Sequence, residues 1–577
     1  MSWWWMSNPA RANSERTEFA QLEERAGWLS GINWKLGKHL KLVVEFDIQH
    51  NGEMFGLVMS YPSTFPDIPP EVRPKDARRL SGHQYGAGGE LCLEYRPDNW
   101  CPFFTGAMMV ESAYRLISGE RPPENEGGIV PSAHQVSIGR DLRHETLRFM
   151  ITQGAVDILA KIPVDVPLLI TNWNNIVNRS WVASLVSLGE VNSFIWAESS
   201  PQPSNSSIVR GFVQRTSQGI ERFKIDPMNF IDVLPVQFPK LEEQLVALEQ
   251  ELGNNFHCFI LLGDDRLWVI LYLFRYEGTR KAFCFKPIIV PESLGRLPTN
   301  YVSLVEKRVA IIGCGSVGSK VASMLARSGV RNFTLVDDDI FFPENLVRND
   351  LDARAIGRHK VDALATRLKD LVGNADITCQ YVALGQQESA GTTEAVMENL
   401  AKVDLLIDAT ADARAFNLVA AVARRHRKPM VWCEVFAGGI GGIIARARPN
   451  IDPAPISARD QIRAWCESQE IPWCGNSDGD YGAQFEDSSP QVADDADVGI
   501  IAGHAARLAL DILTREQSIF PHSAYVIGLS REWIFSAPFD TYPISLLPDG
   551  KWGEPQDTAS PEALKVLLAS LSQKDTE

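Results

Sequence analysis

A glycine-rich turn is the clearest sign of chemistry in this sequence. Gly313, Gly315 and Gly318 form the pattern GxGxxG, which follows the apolar run VAII and precedes a stretch typical of a helix. Glycines at this spacing allow a tight turn and a close approach of the backbone to phosphate groups. Asp337 lies 22 residues after Gly315, at the end of the next apolar run, where a carboxylate can bind a ribose hydroxyl. The pattern predicts a nucleotide site; the alternative is that the glycines serve only strand–helix packing.

The residues after Asp337 resemble the adenylation domain of ubiquitin-activating enzymes and of their bacterial relatives, the ThiF/MoeB sulfur-carrier activators. That family has an acidic strand end, then N-L-x-R-Q, then a G-x-x-K segment. The matching residues here are Asp337 and Asp339, Asn345-Leu346-Val347-Arg348-Asn349, and Gly357-Arg358-His359-Lys360. The resemblance spans about 300–515 and implies that the nucleotide is ATP.

The resemblance also implies a role for each charged position. Arg348 and Lys360 would hold the β- and γ-phosphates of ATP, because two cations offset the negative charge there. The carboxylates of Asp337 and Asp339 would help to position Mg²⁺, and Asn345 would belong to the nucleotide site. A dehydrogenase needs neither cation at these places, so the pattern favours ATP over NAD.

Three further positions depart from the family pattern or extend it. Asn349 stands where the family has glutamine and is the shorter amide. The family's D-x-T-D metal motif reads D-A-T-A-D here, so an ungapped match puts Ala411 at the metal position. We expect Asp412 to be the Mg²⁺ carboxylate, with Asp408 as the alternative. Arg296 resembles the arginine that these enzymes send into a nucleotide site from outside the core fold, and an ordinary surface arginine is the alternative.

Activating enzymes that pass on a thioester carry a cysteine in the loop that crosses the sheet before the C-terminal helix. The corresponding segment here contains Cys466 and Cys474. We favour Cys474, because its polar, glycine-containing surroundings suit exposure, whereas Cys466 lies on a predicted helix and is expected to be packed. Cys433, at a strand end, is a third candidate, and Cys314 is interpreted as a small filler in the glycine turn.

The N-terminal stretch resembles ubiquitin-conjugating enzymes. Their Y-P-x-x-P-P-x-V and G-x-I-C-L elements are matched by Tyr61-Pro62, Phe65-Pro66, Pro69-Pro70-Glu71-Val72 and the run GELCL at 89–93. The resemblance implies that Cys92 is the thioester cysteine and that Trp100-Cys101-Pro102 braces it. A thiol with a pKa of about 8.5 is already a usable nucleophile at neutral pH, so no catalytic triad is required. The alternative for Cys92 is a buried strand cysteine between Leu91 and Leu93.

The loop before Cys92 departs from that family. The family's His-Pro-Asn tripeptide, whose asparagine is thought to hold the loop and stabilise an oxyanion, reads His83-Gln84-Tyr85 here. The donor that replaces the asparagine is left open, with Asn99 as a nearby amide that could serve. Cys101, between tryptophan and proline, is expected in the core.

The candidate site residues lie in a chain that the sequence divides into at least three domains. Residues 1–155 show a helix, a strand meander, an irregular loop and a helix, an α+β pattern that the resemblance assigns to a ubiquitin-conjugating-like fold. The short apolar runs and the one helical pattern in residues 156–295 predict a central α/β linker domain with a docking or scaffolding role. Residues 296–555 alternate strands and helices, as in a doubly wound, mostly parallel, Rossmann-like sheet of the ThiF type. Residues 556–577 form a C-terminal tail.

Periodicity and turn residues also predict individual elements. Helices are expected at 14–30, 105–118, 240–252 and 498–513, and strands at 41–49, 53–62, 377–384, 403–410 and 429–436. The apolar run at 256–274 is interrupted by Asp264-Asp265-Arg266, so it does not predict a membrane span.

Composition limits the function classes. The 577 residues carry a formal net charge of −16, which disfavours nucleic acid and membrane surfaces as partners. Nine scattered cysteines without a CxxC pair, and an N-terminus without the features of a secretory signal, favour a cytoplasmic protein with reduced thiols.

The two resemblances together imply an ATP-dependent ligase that activates the C-terminus of a carrier protein and joins it, through two cysteine thioesters, to a target lysine. The domain order resembles that of bacterial fusion proteins of CBASS antiphage operons, which implies a cGAS/DncV-like nucleotidyltransferase as the carrier and an isopeptidase as a further partner. The resemblance to activating enzymes, which pair through the adenylation fold, implies a homodimer. The alternatives are a ligase for a β-grasp ubiquitin-like modifier, a ThiF/MoeB-type sulfur-carrier adenylyltransferase, and a scaffold without activity. The lack of paired CxxC zinc motifs disfavours the sulfur-carrier alternative.

Overall fold

The computed structural model describes residues 3–86, 88–122, 142, 145–178, 180–190, 193–198, 206–223, 225, 227, 229–264, 267–290, 297–469, 493–554 and 561–572. The chain divides into two compact units, Met1–His144 and Glu145–Glu577. Each unit is described by itself.

The first unit is an α+β fold built on an antiparallel meander. Its elements are α1 (Trp4–Ser7), α2 (Pro9–Arg25), β1 (Leu29–Leu36), β2 (Leu42–His50), β3 (Glu53–Ser60), β4 (Glu71–Pro74) and α3 (Gly106–Glu120). The four strands pair in sequence order, and Phe46 of β2 lies opposite Leu57 of β3. One apolar core joins the sheet to Phe19 of α2 and Ile117 of α3.

Local signals account for the limits of these elements. Asn8 accepts a hydrogen bond from the Arg11 amide and begins α2, five residues before the predicted start. Asn51, with φ +48°, and Gly52 form the predicted turn between β2 and β3. Thr105 caps α3 as expected, but the helix continues past Gly119 to Glu120.

The second unit begins with a sheet that contains eight strands. Its strands are β5 (Leu147–Thr152), β6 (Leu168–Val177), β7 (Ser180–Glu190), β8 (Ser193–Ala197), β9 (Ser207–Arg215), β10 (His257–Gly263), β11 (Trp268–Tyr276) and β12 (Thr279–Val290). Its helices are α4 (Gln153–Leu159), α5 (Phe230–Gln237) and α6 (Pro239–Leu252). The last of these confirms the helix predicted at 240–252. Because β5 precedes residue 155, the predicted end of the first domain, the structure moves that boundary to residues 144 and 145.

The strand pairings of this sheet close into a ring. β5 pairs with β12 on one side and with β7 on the other, so seven strands form the ring and β8 adds to β7. Phe259 and Leu261 of β10 lie in one apolar cluster. Ile260 lies in a second cluster with Leu241 and Leu245 of α6. Burial of both faces explains why β10 and β11 read as one apolar run.

The C-terminal sheet also has eight strands. They are β13 (Arg308–Ile312), β14 (Asn332–Val336), β15 (Asp376–Gln380), β16 (Leu405–Asp408), β17 (Met430–Val435), β18 (Gly441–Ala447), β19 (Ala524–Gly528) and β20 (Thr541–Ile544). The helices are α7 (Ser316–Ser328), α8 (Lys360–Val372), α9 (Ala390–Leu400), α10 (Ala413–Arg425), α11 (Pro455–Ser468), α12 (Asp495–Thr514) and α13 (Pro561–Ser572). Helix α13 lies within the predicted C-terminal tail.

Helices cover both faces of this sheet, as predicted. Val309 and Ile311 of β13 pack with α7, α8 and α12, whereas Ile312 packs with α9, α10 and α11. The strand order is β15-β14-β13-β16-β17-β18-β19-β20, with parallel pairing from β15 to β17 and antiparallel pairing beyond. After β13 the chain forms β14 on one side of β13, and it later forms β16 on the other side. Such a switch point opens a crevice at the carboxyl ends of the strands.

Of the helices in the described part of the chain, none combines the length and the apolar character needed to cross a bilayer.

Candidate functional site: a cavity at the strand ends and a half-buried cysteine

A cavity of about 450 Å³ lies at the switch point, where β13, β14 and β16 end. Its volume is in the range of small-molecule sites. The residues predicted from the sequence that line it are Gly313, Gly315, Asp337, Asp339, Asn345, Arg348, Lys360 and Asp412. Arg296 and Cys474 lie outside the described residues, and Cys92 belongs to the first unit.

The three glycines of the turn have different structural roles. At Gly318 an added Cβ would lie 1.9 Å from the Gly313 carbonyl oxygen, so Gly318 is required for strand–helix packing. Gly313 has φ +84°, and its added Cβ would lie 3.0 Å from the Ala409 carbonyl. At Gly315, which precedes α7, nothing lies within 4 Å. Gly315 therefore leaves open the space where a phosphate can approach the helix N-terminus.

Asp337 holds the glycine turn in place. Its carboxylate accepts hydrogen bonds from the Cys314 amide at 2.7 Å and the Asp339 amide at 2.9 Å. Burial raises the pKa of Asp337, although Lys360 and the two amides oppose the shift. The carboxylate is thus part of the cavity wall and of the turn's support.

The two predicted phosphate-binding cations differ in their surroundings. Lys360, the first residue of α8, donates to the Asp339 carboxylate at 2.6 Å. Arg348 lines the cavity, and no hydrogen bond or ion pair joins its guanidinium to another described residue. A cation that lines a cavity without a partner is available to an anionic ligand.

The amides near Arg348 shape the loop that carries it. Asn345 Oδ1 accepts from the Phe342 amide at 2.9 Å and closes a short 3₁₀ turn. Asn349 Nδ2 donates to the Cys314 carbonyl at 3.4 Å, so the shorter amide still reaches the glycine turn.

Asp412 and Asp408 occupy different positions beside the cavity. Asp412 lines it and caps α10, accepting from the Arg414 amide at 2.7 Å and the Ala415 amide at 2.9 Å. Burial acts to raise the pKa of Asp412, but these amides and the charged Arg414 side chain together outweigh it, and the net pKa is lowered. Asp408 is buried, accepts from the Thr410 hydroxyl at 2.6 Å, and has its pKa raised by burial. Asp412 is the carboxylate that faces the main cavity.

The oxygen donors fit a hard divalent cation. The carboxylates of Asp337, Asp338 and Asp339 each place one oxygen within 4.8 Å of the others. Mg²⁺ prefers carboxylate, phosphate and water oxygens. Together with Asp412 across the cavity, they form a donor set suited to Mg²⁺.

Three of the four described cysteines of this domain are buried, and the fourth, Cys379, is half-buried. Cys466 on α11 is 1% exposed, as predicted, and burial raises its pKa to about 11. Cys433 lines the cavity but is buried, and its pKa is raised in the same way. Cys314 is fully buried in the glycine turn, which agrees with its interpretation as a filler.

One residue of the cavity wall, Glu434, and one residue close to it, Arg459, were not predicted from the sequence. Glu434 lines it, and burial raises its pKa to about 7 while Arg459 opposes the shift. Arg459 of α11 lies over the Phe416 ring at 4.4 Å from its centre. An acidic residue at the carboxyl end of a parallel strand was the available signal for Glu434.

Cys92 lies in the first unit, in the loop that follows β4. Leu91 and Leu93 are buried, whereas Cys92 between them is half-buried. Burial raises the pKa of the Cys92 thiol, and a hydrogen bond from Tyr85 opposes that shift. Its accessibility disfavours the alternative of a buried strand cysteine.

The predicted braces of this loop are partly found. Trp100 Nε1 donates to the Pro66 carbonyl at 2.6 Å, which ties the W-x-P segment to the proline-rich stretch. Asn99 is engaged at both ends of its amide, with Glu94 and Arg96. Cys101 is half-buried, so the expectation of a core position is wrong.

Comparison with known proteins places the C-terminal region. Residues 297–528 match the ThiF family. Over 125 residues, 21% of this chain, the sequence is 34% identical to the ATP-dependent ubiquitin transferase-like protein Cap2 of Escherichia coli (strain TW11681). It is 33% identical over 140 residues to the sulfur carrier protein ThiS adenylyltransferase of Escherichia coli (strain K12), covering 24% of this chain and 52% of that protein. A crystal structure of E. coli MccB with AMPCPP and MccA aligns over 45% of this chain and 68% of its own, with 14% identity and a TM-score of 0.32.

The chain matches only 20% of the length of that Cap2 protein. The match to the ThiF family covers the glycine turn, the two cations and the acidic strand end described above. The C-terminal part of this chain is therefore a ThiF-family domain, and the chain is similar over part of its length to bacterial Cap2 proteins.

Proposed function

We propose that this protein is an ATP-dependent ligase that activates the C-terminal carboxylate of a carrier protein and transfers it to an amine. The observation that carries the proposal is the cavity itself. It combines an open helix N-terminus at Gly315 with carboxylates suited to Mg²⁺ and with two cations, Lys360 and Arg348. Among the described residues, the Arg348 side chain has no hydrogen-bond or ion-pair partner. That combination matches the charge distribution of a nucleoside triphosphate.

In the first step, the carrier carboxylate attacks the α-phosphorus of ATP and forms an acyl-adenylate, and the bond to pyrophosphate breaks. Arg348 and Lys360 stabilise the negative charge that develops on the leaving pyrophosphate. Asp337 keeps the glycine turn against the phosphates. Mg²⁺, when bound by Asp412 and the acidic strand end, supplies further neutralisation of phosphate charge.

In the later steps, two thiols carry the acyl group. The Cys474 thiolate attacks the acyl-adenylate, forms a thioester and releases AMP. The Cys92 thiolate then attacks that thioester, and the amine of a target lysine attacks the second thioester to form an amide. Joining both thiols in one chain raises the effective concentration of the second for the first.

The finer assignments belong to the same proposal. The carrier is a cGAS/DncV-like nucleotidyltransferase of a CBASS antiphage system, and an isopeptidase is a further partner. The first unit has a ubiquitin-conjugating-like fold, and the central domain is a linker. Arg296 enters the nucleotide site. The protein is a cytoplasmic homodimer, and light scattering can measure its mass. The scattered cysteines without a CxxC pair support a cytoplasmic location. The similarity to an ATP-dependent ubiquitin transferase-like protein supports ATP-dependent transfer as the activity.

The test is ATP–pyrophosphate exchange by the full chain with candidate carriers. A nucleotidyltransferase of the proposed class and a β-grasp modifier are each supplied with the C-terminal residue intact or removed. We expect exchange with the intact nucleotidyltransferase and none after removal of its last residue. Exchange with the modifier alone would identify the other kind of ligase, and exchange with neither would contradict the proposal.

A second function has a specific observation in its favour. The similarity to the ThiS adenylyltransferase suits an enzyme that makes an acyl-adenylate for sulfur transfer. Such an enzyme would not use Cys92. A Cys92→Ala variant that retains every product of the wild type would favour this second function over the ligase.

A further inference from the structure

The loop that carries Cys92 forms a narrow hairpin with the residues of the altered tripeptide. The Cys92 amide donates to the His83 carbonyl at 2.7 Å. Gln84 bridges to Leu91, and the Tyr85 amide donates to the Glu90 carbonyl at 3.0 Å. This register fixes the tripeptide directly beside the thiol.

Two of the polar side chains near the thiol are already committed to holding loops. Gln84 is 6% exposed, donates to the Gly89 carbonyl at 3.0 Å and accepts from the Leu80 amide at 2.8 Å. Asn99, the amide considered from the sequence, donates to the Glu94 carbonyl at 2.8 Å and accepts from the Arg96 amide at 2.7 Å. Neither side chain is free to serve the sulfur.

Tyr85 lies on the same side of the hairpin as Cys92, because Tyr85 is paired with Glu90 and Cys92 with His83. Its side chain is 63% exposed, and a hydrogen bond from it lowers the pKa of the Cys92 thiol against the larger effect of burial. It stands where ubiquitin-conjugating enzymes have the asparagine of their tripeptide. A phenol on a fixed hairpin can donate to sulfur while its ring faces an arriving substrate.

We propose that the Tyr85 hydroxyl is a catalytic donor to the Cys92 sulfur, which stabilises the thiolate both as nucleophile and as leaving group. The inference rests on the proposed role of Cys92 as the thioester cysteine. It gives the residue that replaces the missing asparagine a different target, because the hydrogen bond goes to the sulfur.

The chemistry balances without a further reagent. On charging, the Cys92 thiol loses its proton to solvent, its sulfur bonds to the carbonyl carbon of the incoming thioester, and the donor thiolate leaves. On discharge, the lysine nitrogen forms the new C–N bond and the C–S bond breaks. The electron pair stays on the Cys92 sulfur, and the amine gives one proton to solvent. Tyr85 keeps its own proton throughout and donates to the negative sulfur in both steps.

Alkylation by iodoacetamide measures the first half of the proposal on the full chain, without ATP or a carrier. The reaction at Cys92 is followed across pH by mass spectrometry of the peptide that contains it. Tyr85→Phe should raise the apparent pKa of Cys92 by about one unit, since a hydrogen bond to a charged group is lost. Tyr276→Phe, at a tyrosine of β11 that is 57% exposed, is the matched control and should titrate as the wild type.

Discharge measures the second half. Cys92 is charged with the thioester of N-acetylglycine and 2-mercaptoethanesulfonate, and the loss of the acyl group to free lysine is timed. Tyr85→Phe should slow the discharge about tenfold. Tyr85→Ala should behave like Tyr85→Phe, because the hydroxyl is the active group.

Three results would overturn the inference. They are an unchanged Cys92 titration in Tyr85→Phe, an unchanged discharge rate, or a loss confined to Tyr85→Ala, which would assign the effect to ring packing. The proposed function has its own readout, an ATP-dependent and reducible adduct on Cys92 of the wild-type chain. Its absence would contradict the ligase, while the alkylation profile would still decide the contact between Tyr85 and the sulfur.

Discussion

The nucleotide cavity and the Cys92 loop are built in contrasting ways. The cavity gathers charges at the ends of three neighbouring strands, and several of these charges are already paired, as Lys360 is with Asp339. The Cys92 loop presents one half-buried thiol between two buried leucines. The first arrangement suits a small, highly charged ligand, whereas the second offers a single, partly accessible nucleophile.

The two sites also differ in what holds them. The sheet topology places the cavity residues, because parallel strands end at one edge. The Cys92 loop depends on ties to distant parts of the first unit. Glu120 at the end of α3 accepts from the Ser81 hydroxyl at 2.8 Å and the Gly82 amide at 3.1 Å. Buried Glu15 of α2 accepts from the Gly106 amide at 2.7 Å, just after the W-x-P segment.

Removal of each thiol is the most severe test of this contrast. Cys92→Ala should abolish the reduction-resistant conjugate and leave a reducible adduct on the second unit. Cys474→Ala should prevent charging of Cys92 while adenylation continues, because the nucleotide cavity uses no thiol. Adducts are read on gels with and without reducing agent. Cys284→Ala, at an exposed cysteine of β12, is the control. If Cys466→Ala, but not Cys474→Ala, blocks charging, the choice within that segment is wrong.

The two cations of the cavity should give the next largest effect. Arg348→Ala and Lys360→Ala should each lower carrier-dependent ATP–pyrophosphate exchange on the order of 100-fold, since each removes charge that stabilises the leaving group. Arg354→Ala, at an exposed arginine paired with Asp352, should retain full exchange. If neither Arg348→Ala nor Lys360→Ala changed the rate of ATP–pyrophosphate exchange, the assignment of the phosphate site to these two residues would be wrong.

Substitutions of two glycines should distinguish a residue that the fold needs, Gly318, from a residue that ATP binding needs, Gly315. Gly318→Ala places a Cβ against the Gly313 carbonyl and should destabilise the domain by about 1–3 kcal/mol, visible as a lower Tm. Gly315→Ala has space and should keep its Tm, but it should bind ATP more weakly in calorimetry. Equal Tm values for both variants would contradict the packing argument, and unchanged ATP affinity in Gly315→Ala would contradict the open approach.

Patterns of near neighbours explain which elements the sequence could predict. The turn at Asn51 and the cap at Thr105 act within a few residues, so β2, β3 and α3 were predicted close to their observed limits. The sheet of the ThiF domain was predicted as doubly wound because each strand is followed by a turn and a helix. The glycine turn and the following acids supplied most of the cavity residues for the same reason.

Features that depend on distant pairing were missed. Leu29 is the one buried residue of strand β1, so the sequence lacks the alternation of apolar and polar residues that would predict this strand. The ring of seven strands depends on the pairing of β5 with β12, which are more than a hundred residues apart, and no local pattern predicts that pairing. Glu434 lies beside the cavity only because β17 stands next to β16.

The smallest expected effect concerns acidity in the cavity wall. Burial raises the pKa of Glu434 to about 7, so the folded domain holds this proton more tightly than the unfolded chain does. Stability from this group is therefore present at acidic pH and is lost as the pH rises through about 7. Glu434→Gln removes the titration, so its Tm should exceed that of the wild type by about 2–4 °C at alkaline pH and converge with it at acidic pH. Glu306→Gln, at an exposed glutamate, should follow the wild-type curve. A constant Tm difference between Glu434→Gln and the wild type across this range would show that the carboxyl ionises equally in both states, and burial in the cavity wall would then not raise its pKa.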